Sequence, residues 1–478
     1  MNTAIEHVGR CLIASGRGRF VSGIPSPPVS RQCRAGMQSW FTCCARLTGE
    51  NLSPVCTIPV TIICHIVNCN SAIRVALGLI ATCFVVSASN SGFAQNWILT
   101  QANTNYDWLG VACSVNGGRL IAVATDDGLG NPGAIDTSTN VGSTWSPTLA
   151  PTNQGWQSVA CSANGSNLVA AINNQYLNGD PGPIYVSANS GKSWRMTTAS
   201  PDYWVCVACS ASGSKLAAVD SGMGDGLIYI STDSGNNWTS NGPSGEAWAS
   251  IAISTNGSKL AAADSGFGDG LIYISTNSGS TWSPTTAPAY PWSCIASSAD
   301  GARLVAANSG FGDGLIYIST DSGNTWIPAH SPTNQWSCIA SSADGTKLVA
   351  ADSGSGDGLI YISTNAGTSW TPSGPVGFWN SVASSADGSI LTAASYPSGG
   401  VYVLQLTPSL NLSCLGTNAL ISWQNLSSAA GLVLQQNPNL APTNWVDVTT
   451  LPGLTNGLYQ TVVPLAVNTN RFYRLEAP

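Results

Sequence analysis

Charge is what this 478-residue chain has least of. Asp, Glu, Lys and Arg together make up 8% of it, well below the usual quarter. Histidine is almost as scarce. Beyond residue 94 the one His is His330, and the only Glu are Glu246 and Glu476. That supply excludes a histidine metal pair and leaves no plausible Ser–His–Asp set, and no Gly-rich phosphate loop precedes a helix. Residues 95–478 carry nine Lys and Arg against 21 Asp and Glu, a net charge of −12. A surface without basic patches excludes nucleic-acid binding, because neutralising phosphate needs Lys and Arg. The apolar run Val75–Val86 has 12 residues, too few to span a bilayer.

In place of charge the chain has Gly, Ser, Thr, Asn and 17 Trp. Such a mix suits many short strands joined by tight turns. The first 94 residues read differently from the rest. Residues 1–70 carry Arg, Cys and Pro without periodicity; Arg74, the apolar run and small residues to Ala94 then follow. This is the order of a secretory signal, with cleavage after Ala88 or Ala94. We therefore expect a leader over 1–94, a signal peptide at about 70–94, and an upstream part ahead of the true start. The expected product is secreted, periplasmic or on the surface of a bacterial cell.

A repeat sets the architecture. The pattern W-x-x-[V/I]-A begins at Trp108, Trp156, Trp204, Trp248, Trp292, Trp336 and Trp379, with spacings of 48, 48, 44, 44, 44 and 43. Seven units of this length predict an all-β, seven-bladed β-propeller over residues 95–406, four strands to a blade. In one unit, 292–298, 302–307 and 315–320 read as strands, and Trp326 opens a fourth. The seventh unit lacks a fourth strand, while the segment from Trp97 resembles one. The mature amino terminus is therefore expected to close the ring, leaving no free sheet edge there.

Each complete unit also carries S-x-[D/N]-x-G-x-[S/T/N]-W. Its acid or amide positions are Asn140, Asn189, Asp233, Asn277, Asp321 and Asn365, and its aromatic positions Trp145, Trp194, Trp238, Trp282, Trp326 and Trp370. This motif resembles the Asp-box, or BNR repeat, found in sialidases, glucan-cleaving propellers, sortilin-type receptors and a photosystem assembly factor. The resemblance covers 95–406 and implies a propeller fold. The residues point to a structural role: the acid accepts N–H groups of its own turn, Gly takes a left-handed conformation, and Trp packs between blades. Four of the six acid positions are Asn, a poor general acid. Sialidases need an arginine triad, whereas Arg119 and Arg303 share a repeat slot with Lys215, Lys259 and Lys347, so sialidase activity is not expected.

Candidate chemistry is confined to loops. Those before first strands and those between second and third strands share one propeller face. There Asp202 and Glu246 form the candidate carboxylate pair for glycoside hydrolysis, against the reading that both are solvated loop acids. Tyr106, Tyr203, Tyr290 and Phe378, read as exposed in loops before first strands, are candidate ligand-stacking aromatics. The loop D-S-G-x-G-D-G, with Asp220 and Asp225, Asp264 and Asp269, and Asp352 and Asp357, offers Ca²⁺ two carboxylates. A Ca²⁺ site wants about six oxygens, so the favoured reading is Asp capping its own loop, with no cofactor. Seven Cys follow residue 94; those on first strands read as small buried residues, with Cys161 and Cys206 the one pair able to bond. Residues 407–478 read as short strands around Trp423, Trp445, Phe472 and Tyr473, a small β-sandwich resembling the immunoglobulin- or fibronectin-like modules of exported proteins.

The expectation is a monomeric exported propeller that binds a glycan or protein through its loop-rich face without catalysis. The alternative is a polysaccharide hydrolase or lyase on that face.

Overall fold

The computed structural model describes residues 97–125, 133–152, 154–175, 179–221, 226–266, 269–310, 313–354, 357–397, 399–406 and most of 410–476, with the backbone of residues 61–62. The rest of the expected leader, the other residues of 1–94, lies outside them. The described chain is all β, and its repeated four-stranded antiparallel sheets make it a β-propeller.

Between Trp97 and Leu406 there are seven such sheets. Their first strands are Asp107–Cys113, Trp156–Cys161, Trp204–Cys209, Trp248–Ile253, Trp292–Ser297, Trp336–Ser341 and Trp379–Ser384. In the unit read above, the later strands are Leu304–Asn308, Ile316–Ser319 and Ile327–Pro328. They begin one or two residues later than the pattern predicts, because the turn glycine draws its neighbours into the turn. Six sheets run in chain order. In the remaining one, Ile98–Leu99 lies beside Gly400–Gln405, with Ile98 opposite Val403 and Leu99 opposite Tyr402. Trp97 is buried there and donates its indole N–H to Ser373 Oγ at 2.8 Å.

Apolar clusters lie between consecutive sheets. One joins Val349, Ala351, Ile360 and Ile362 to Trp379, Val382, Leu391 and Ala393. The deepest side chains are the seven first-strand tryptophans, each 0–1% exposed. The fourth-strand tryptophans pack against the same inter-sheet clusters, but less deeply. Trp145, Trp194, Trp238, Trp282, Trp326 and Trp370 are only half-buried. Trp145, Trp194, Trp326 and Trp370 lean on the first-strand Trp of their own sheet, with ring centroids 6.3–6.5 Å apart.

Polar bonds also tie sheet to sheet. A β-bulge follows each first-strand Trp and brings the side chain two residues on to the neighbouring sheet. Ser158 Oγ accepts Val207 N–H at 3.1 Å, Ser250 Oγ accepts Ile295 N–H at 3.2 Å, and Ser381 Oγ accepts Val111 N–H at 3.1 Å. Cys294 Sγ accepts Ile339 N–H at 3.3 Å and Cys338 Sγ accepts Val382 N–H at 3.5 Å. Past the first strands, backbone bonds of 2.7–2.9 Å run Val115 to Ala163, Ala163 to Ala211, Ala211 to Thr255, Thr255 to Ala299, Ala299 to Ala343, Ala343 to Ala386, and Ala386 back to Val115.

The six described propeller cysteines are free. The two sulfurs that meet are Cys294 and Cys338, 3.8 Å apart. Cys161 instead donates to the Cys113 carbonyl, and burial pushes its thiol up to about 12. Residue Trp+2 of one sheet and residue Trp+5 of another occupy different rows, which is why Cys161 and Cys206 do not bond.

Beyond residue 409, Asn411–Leu415, Asn418–Gln424, Leu458–Pro464 and Gly453–Thr455 form one sheet; Val433–Asn437, Val446–Asp447 and Phe472–Glu476, edged by Thr61–Ile62, form another. Ala419, Ile421, Trp423, Leu434, Val463 and Tyr473 share a core. Trp445 is not in it. It is half-buried beneath the Arg474 guanidinium, 4.6 Å from its ring centroid.

The two tryptophan families make a direct comparison. Trp336→Ala should cost about 3–5 kcal/mol, the range for emptying a fully buried aromatic site, and Trp326→Ala clearly less. Urea unfolding of both variants checks the order.

Candidate functional site: the loop-rich face

The loops on one face are tied together by backbone. Ser221 N–H reaches Tyr203 O, Ser265 N–H reaches Ala247 O, Ser309 N–H reaches Pro291 O, and Tyr396 N–H reaches Phe378 O. Each bond joins the loop after a second strand to the residue preceding that sheet's Trp. Further along, the Gly226 and Gly314 carbonyls accept the indole N–H of Trp248 and Trp336, at 3.0 and 3.1 Å. At Gly270, Gly314 and Gly358 a Cβ would lie 2.0–2.2 Å from a carbonyl oxygen of the same loop. Only glycine lets the backbone cross there.

This geometry gives the loop acids local partners. Asp220 Oδ2 accepts Leu227 N–H at 2.9 Å, and Asp352 Oδ1 accepts Gly354 N–H at 3.0 Å. Asp264 Oδ1 accepts Ala247 N–H and Gly266 N–H at 3.1 and 3.0 Å. Asp269 and Asp357 are exposed, and Asp225 lies outside the described residues. Among the described residues no three His, Cys, Asp or Glu side chains come together as metal ligands.

Asp202 and Glu246 have different surroundings. Asp202 is buried; its backbone exchanges hydrogen bonds with Gly182, and its carboxylate accepts Tyr203 N–H at 2.8 Å. Glu246 accepts the Tyr273 hydroxyl at 3.2 Å and lies near the Asp264 charge. Desolvation first, then the Asp264 charge, pushes the Glu246 carboxyl above its ordinary range. The acid beside Glu246 is thus Asp264, from the strand end of its own sheet. His330 is exposed and sits by the turn of the next sheet, where its N–H meets Gly367 O at 3.3 Å.

Three of the four predicted stacking aromatics are used internally. Tyr106 packs edge-on against Trp108 at 5.4 Å. Tyr290 packs against Trp292 and Tyr317 at 5.9 and 5.8 Å. The Tyr203 hydroxyl donates to Gly179 O at 2.9 Å. All three are half-buried, which corrects the reading of them as exposed. Phe378 is exposed, at 42%, and has neighbours that the sequence reading missed: Val376 at 62% and Tyr396 at 39%. Val376 ends the longest fourth strand, Thr371–Gly377, and its length was the available signal.

The repeated turns follow one plan. In the fifth sheet Ser319 Oγ donates to Asp321 Oδ1 and accepts Gly323 N–H, while Asp321 Oδ1 accepts Thr325 N–H, all at 2.8 Å. Asn140, Asn189, Asp233, Asn277 and Asn365 sit in the same bonds. The Thr325 hydroxyl and N–H hold the Asp321 carboxyl low, and Asn237 donors hold Asp233 down at about 2. The residue before each turn glycine also has positive φ, 54–61°, though none is glycine.

One buried acid breaks the repeat. The third-strand position of Tyr185, Tyr229, Tyr273, Tyr317, Tyr361 and Tyr402 is Asp136 in the first sheet. In the other sheets that Tyr packs edge-on against the first-strand Trp. Here Tyr106 covers Trp108, and Asp136 Oδ1 is buried without a partner.

No family model matches the chain, and no curated protein matches it. Among solved structures, YCF48 from Cyanidioschyzon merolae is similar at 16% identity and a TM-score of 0.49, over 65% of this chain and 98% of that one. A structure of YCF48 bound to D1 peptide is similar at 16% identity and a TM-score of 0.48, over 65% and 96%.

Desolvation lifts Asp136 from 3.8 to about 6. The folded state therefore favours its protonated form. That advantage is full below the unfolded value and lost as pH rises through 6. Asp136→Asn should gain about 2–3 kcal/mol on the parent between pH 4 and pH 7, read from urea unfolding at both pH values.

Proposed function

We propose that the chain is an exported bacterial Asp-box propeller of seven blades. In this reading Ile98–Leu99 closes its ring and residues 407–478 form a β-sandwich module. It binds a glycan or protein partner through the loop-rich face and catalyses no reaction there. The observation that carries this is the strip of Val376, Phe378 and Tyr396, where the end of a fourth strand meets the loop after the next sheet's second strand at the Tyr396–Phe378 backbone bond. Contiguous exposed apolar side chains on a folded surface mark contact sites, and aromatics dominate the energy of such contacts.

Geometry favours binding over hydrolysis. Glycoside hydrolysis needs two carboxyl groups roughly 5–9.5 Å apart, with the sugar or a water between them. Asp202, Asp220, Asp264 and Asp352 on this face instead accept backbone N–H groups of the loops.

The test is a binding screen of the full-length chain against a glycan panel and proteins of the producing cell's secretome. With the best hit, Val376→Ser with Phe378→Ser should weaken binding by at least about tenfold at an unchanged melting temperature. Unchanged affinity would move the contact elsewhere.

A further inference from the structure

A second feature lies at the junction of the second and third sheets, among the repeated turns. At most junctions a cation spans from one sheet to the next. Arg119 Nη1 donates to Ser190 Oγ at 2.9 Å, Lys215 Nζ to Ser278 Oγ at 2.9 Å, and Lys259 Nζ to Ser322 Oγ at 3.1 Å. Each stem lies over the next turn glycine, so that a Cβ on Gly165, Gly257 or Gly301 would meet it at 2.4–2.9 Å. The cations at this slot are struts between sheets.

In the second sheet the slot holds Asn167, too short to span. Its amide reaches only Ser212 O, at 2.8 Å. A cavity of about 230 Å³ opens beside it. The corresponding space beside Lys259 is about 10 Å³. Leu168, Val186 and Leu216 give the cavity apolar walls, and Trp194 adds an aromatic one.

Arg195 stands at the rim, where other sheets have Ser146, Thr239, Ser283, Ile327 or Thr371. Its Nη2 donates to Ser234 O at 2.7 Å and its Nη1 to Gly235 O at 3.4 Å. A guanidinium has five N–H donors, and none of the residues lining the cavity is acidic. An apolar cavity of about 150 Å³ already holds benzene. This one has room for a ring and a carboxylate.

We propose that this cavity is a binding site for a small organic monoanion with a flat apolar body, an aryl carboxylate. The ring fills the space that a strut side chain occupies at the strut-bearing junctions, and the carboxylate meets Arg195. The site is separate from the Phe378 strip.

The test uses the full-length chain with benzoate as probe and benzyl alcohol as its neutral counterpart, measured by equilibrium dialysis. Benzoate should bind saturably and at least about tenfold more tightly than the alcohol. Asn167→Lys introduces the residue of the third, fourth and sixth sheets and should abolish binding. Arg195→Ser, the residue of two other sheets, should weaken benzoate by at least about tenfold and leave the alcohol unchanged. Melting curves establish that both variants are folded. Lack of saturable benzoate binding, or undiminished binding in folded Asn167→Lys or Arg195→Ser, would overturn the proposal.

Discussion

Seven backbone hydrogen bonds, each from the turn of one sheet to the turn of the next, come back to the residue they start from. The order from Val115 through Ala386 and back to Val115 requires the innermost strands to approach closely at one end. That approach limits what the sequence can place there. The bulge after each Trp and the small residue two positions on (Gly110, Ser158, Cys206, Ser250, Cys294, Cys338 or Ser381) follow from it. A larger side chain would push neighbouring sheets apart. Ser and Cys also offer an acceptor to an N–H that the innermost strand cannot satisfy within its own sheet.

Outside this inner belt the repeat is more permissive, and its exceptions carry the information. One sheet replaces a packing Tyr by Asp136, while Tyr106 covers the exposed Trp face instead. Two sheets lack a strut cation, with Asn167 in the second and Ser389 in the seventh, and the second has an Arg at 195. In both cases a group from another place does part of the missing work, and something is left over: an orphan carboxyl oxygen in the first, a cavity in the second. Regular junctions hold the molecule together. Irregular ones are where a ligand or a proton can act on it.

Much of this was legible in the sequence because the period is long and regular. The spacing of Trp108 to Trp379 yields the sheet count and strand order, and the similarity of the Trp97 segment to a fourth strand points to the pairing of Ile98–Leu99. The ranking of the two tryptophan families was not legible. Both look equally apolar, and the first-strand family is the more buried because first strands pack against those of neighbouring sheets. The struts were hidden because Lys215 meets Ser278 and Lys259 meets Ser322, each 63 residues away. The Phe378 strip was half visible, since Tyr396 reaches it from a different loop. Asp136 was readable against the Tyr column, but its significance depends on burial. The loop acids read alike in sequence; backbone capping separates Asp220 and Asp264 from exposed Asp269.

The dependence of the structure on this circle of hydrogen bonds is open to direct measurement by native-state hydrogen exchange of the Val115, Ala163, Ala211, Thr255, Ala299, Ala343 and Ala386 amides. If the ring is one cooperative unit, all seven exchange only through global unfolding, with one common free energy. If Val115 and Ala386 exchange well before Ala211, Thr255 and Ala299, the ring opens where the chain ends meet, and closure does not hold the propeller together.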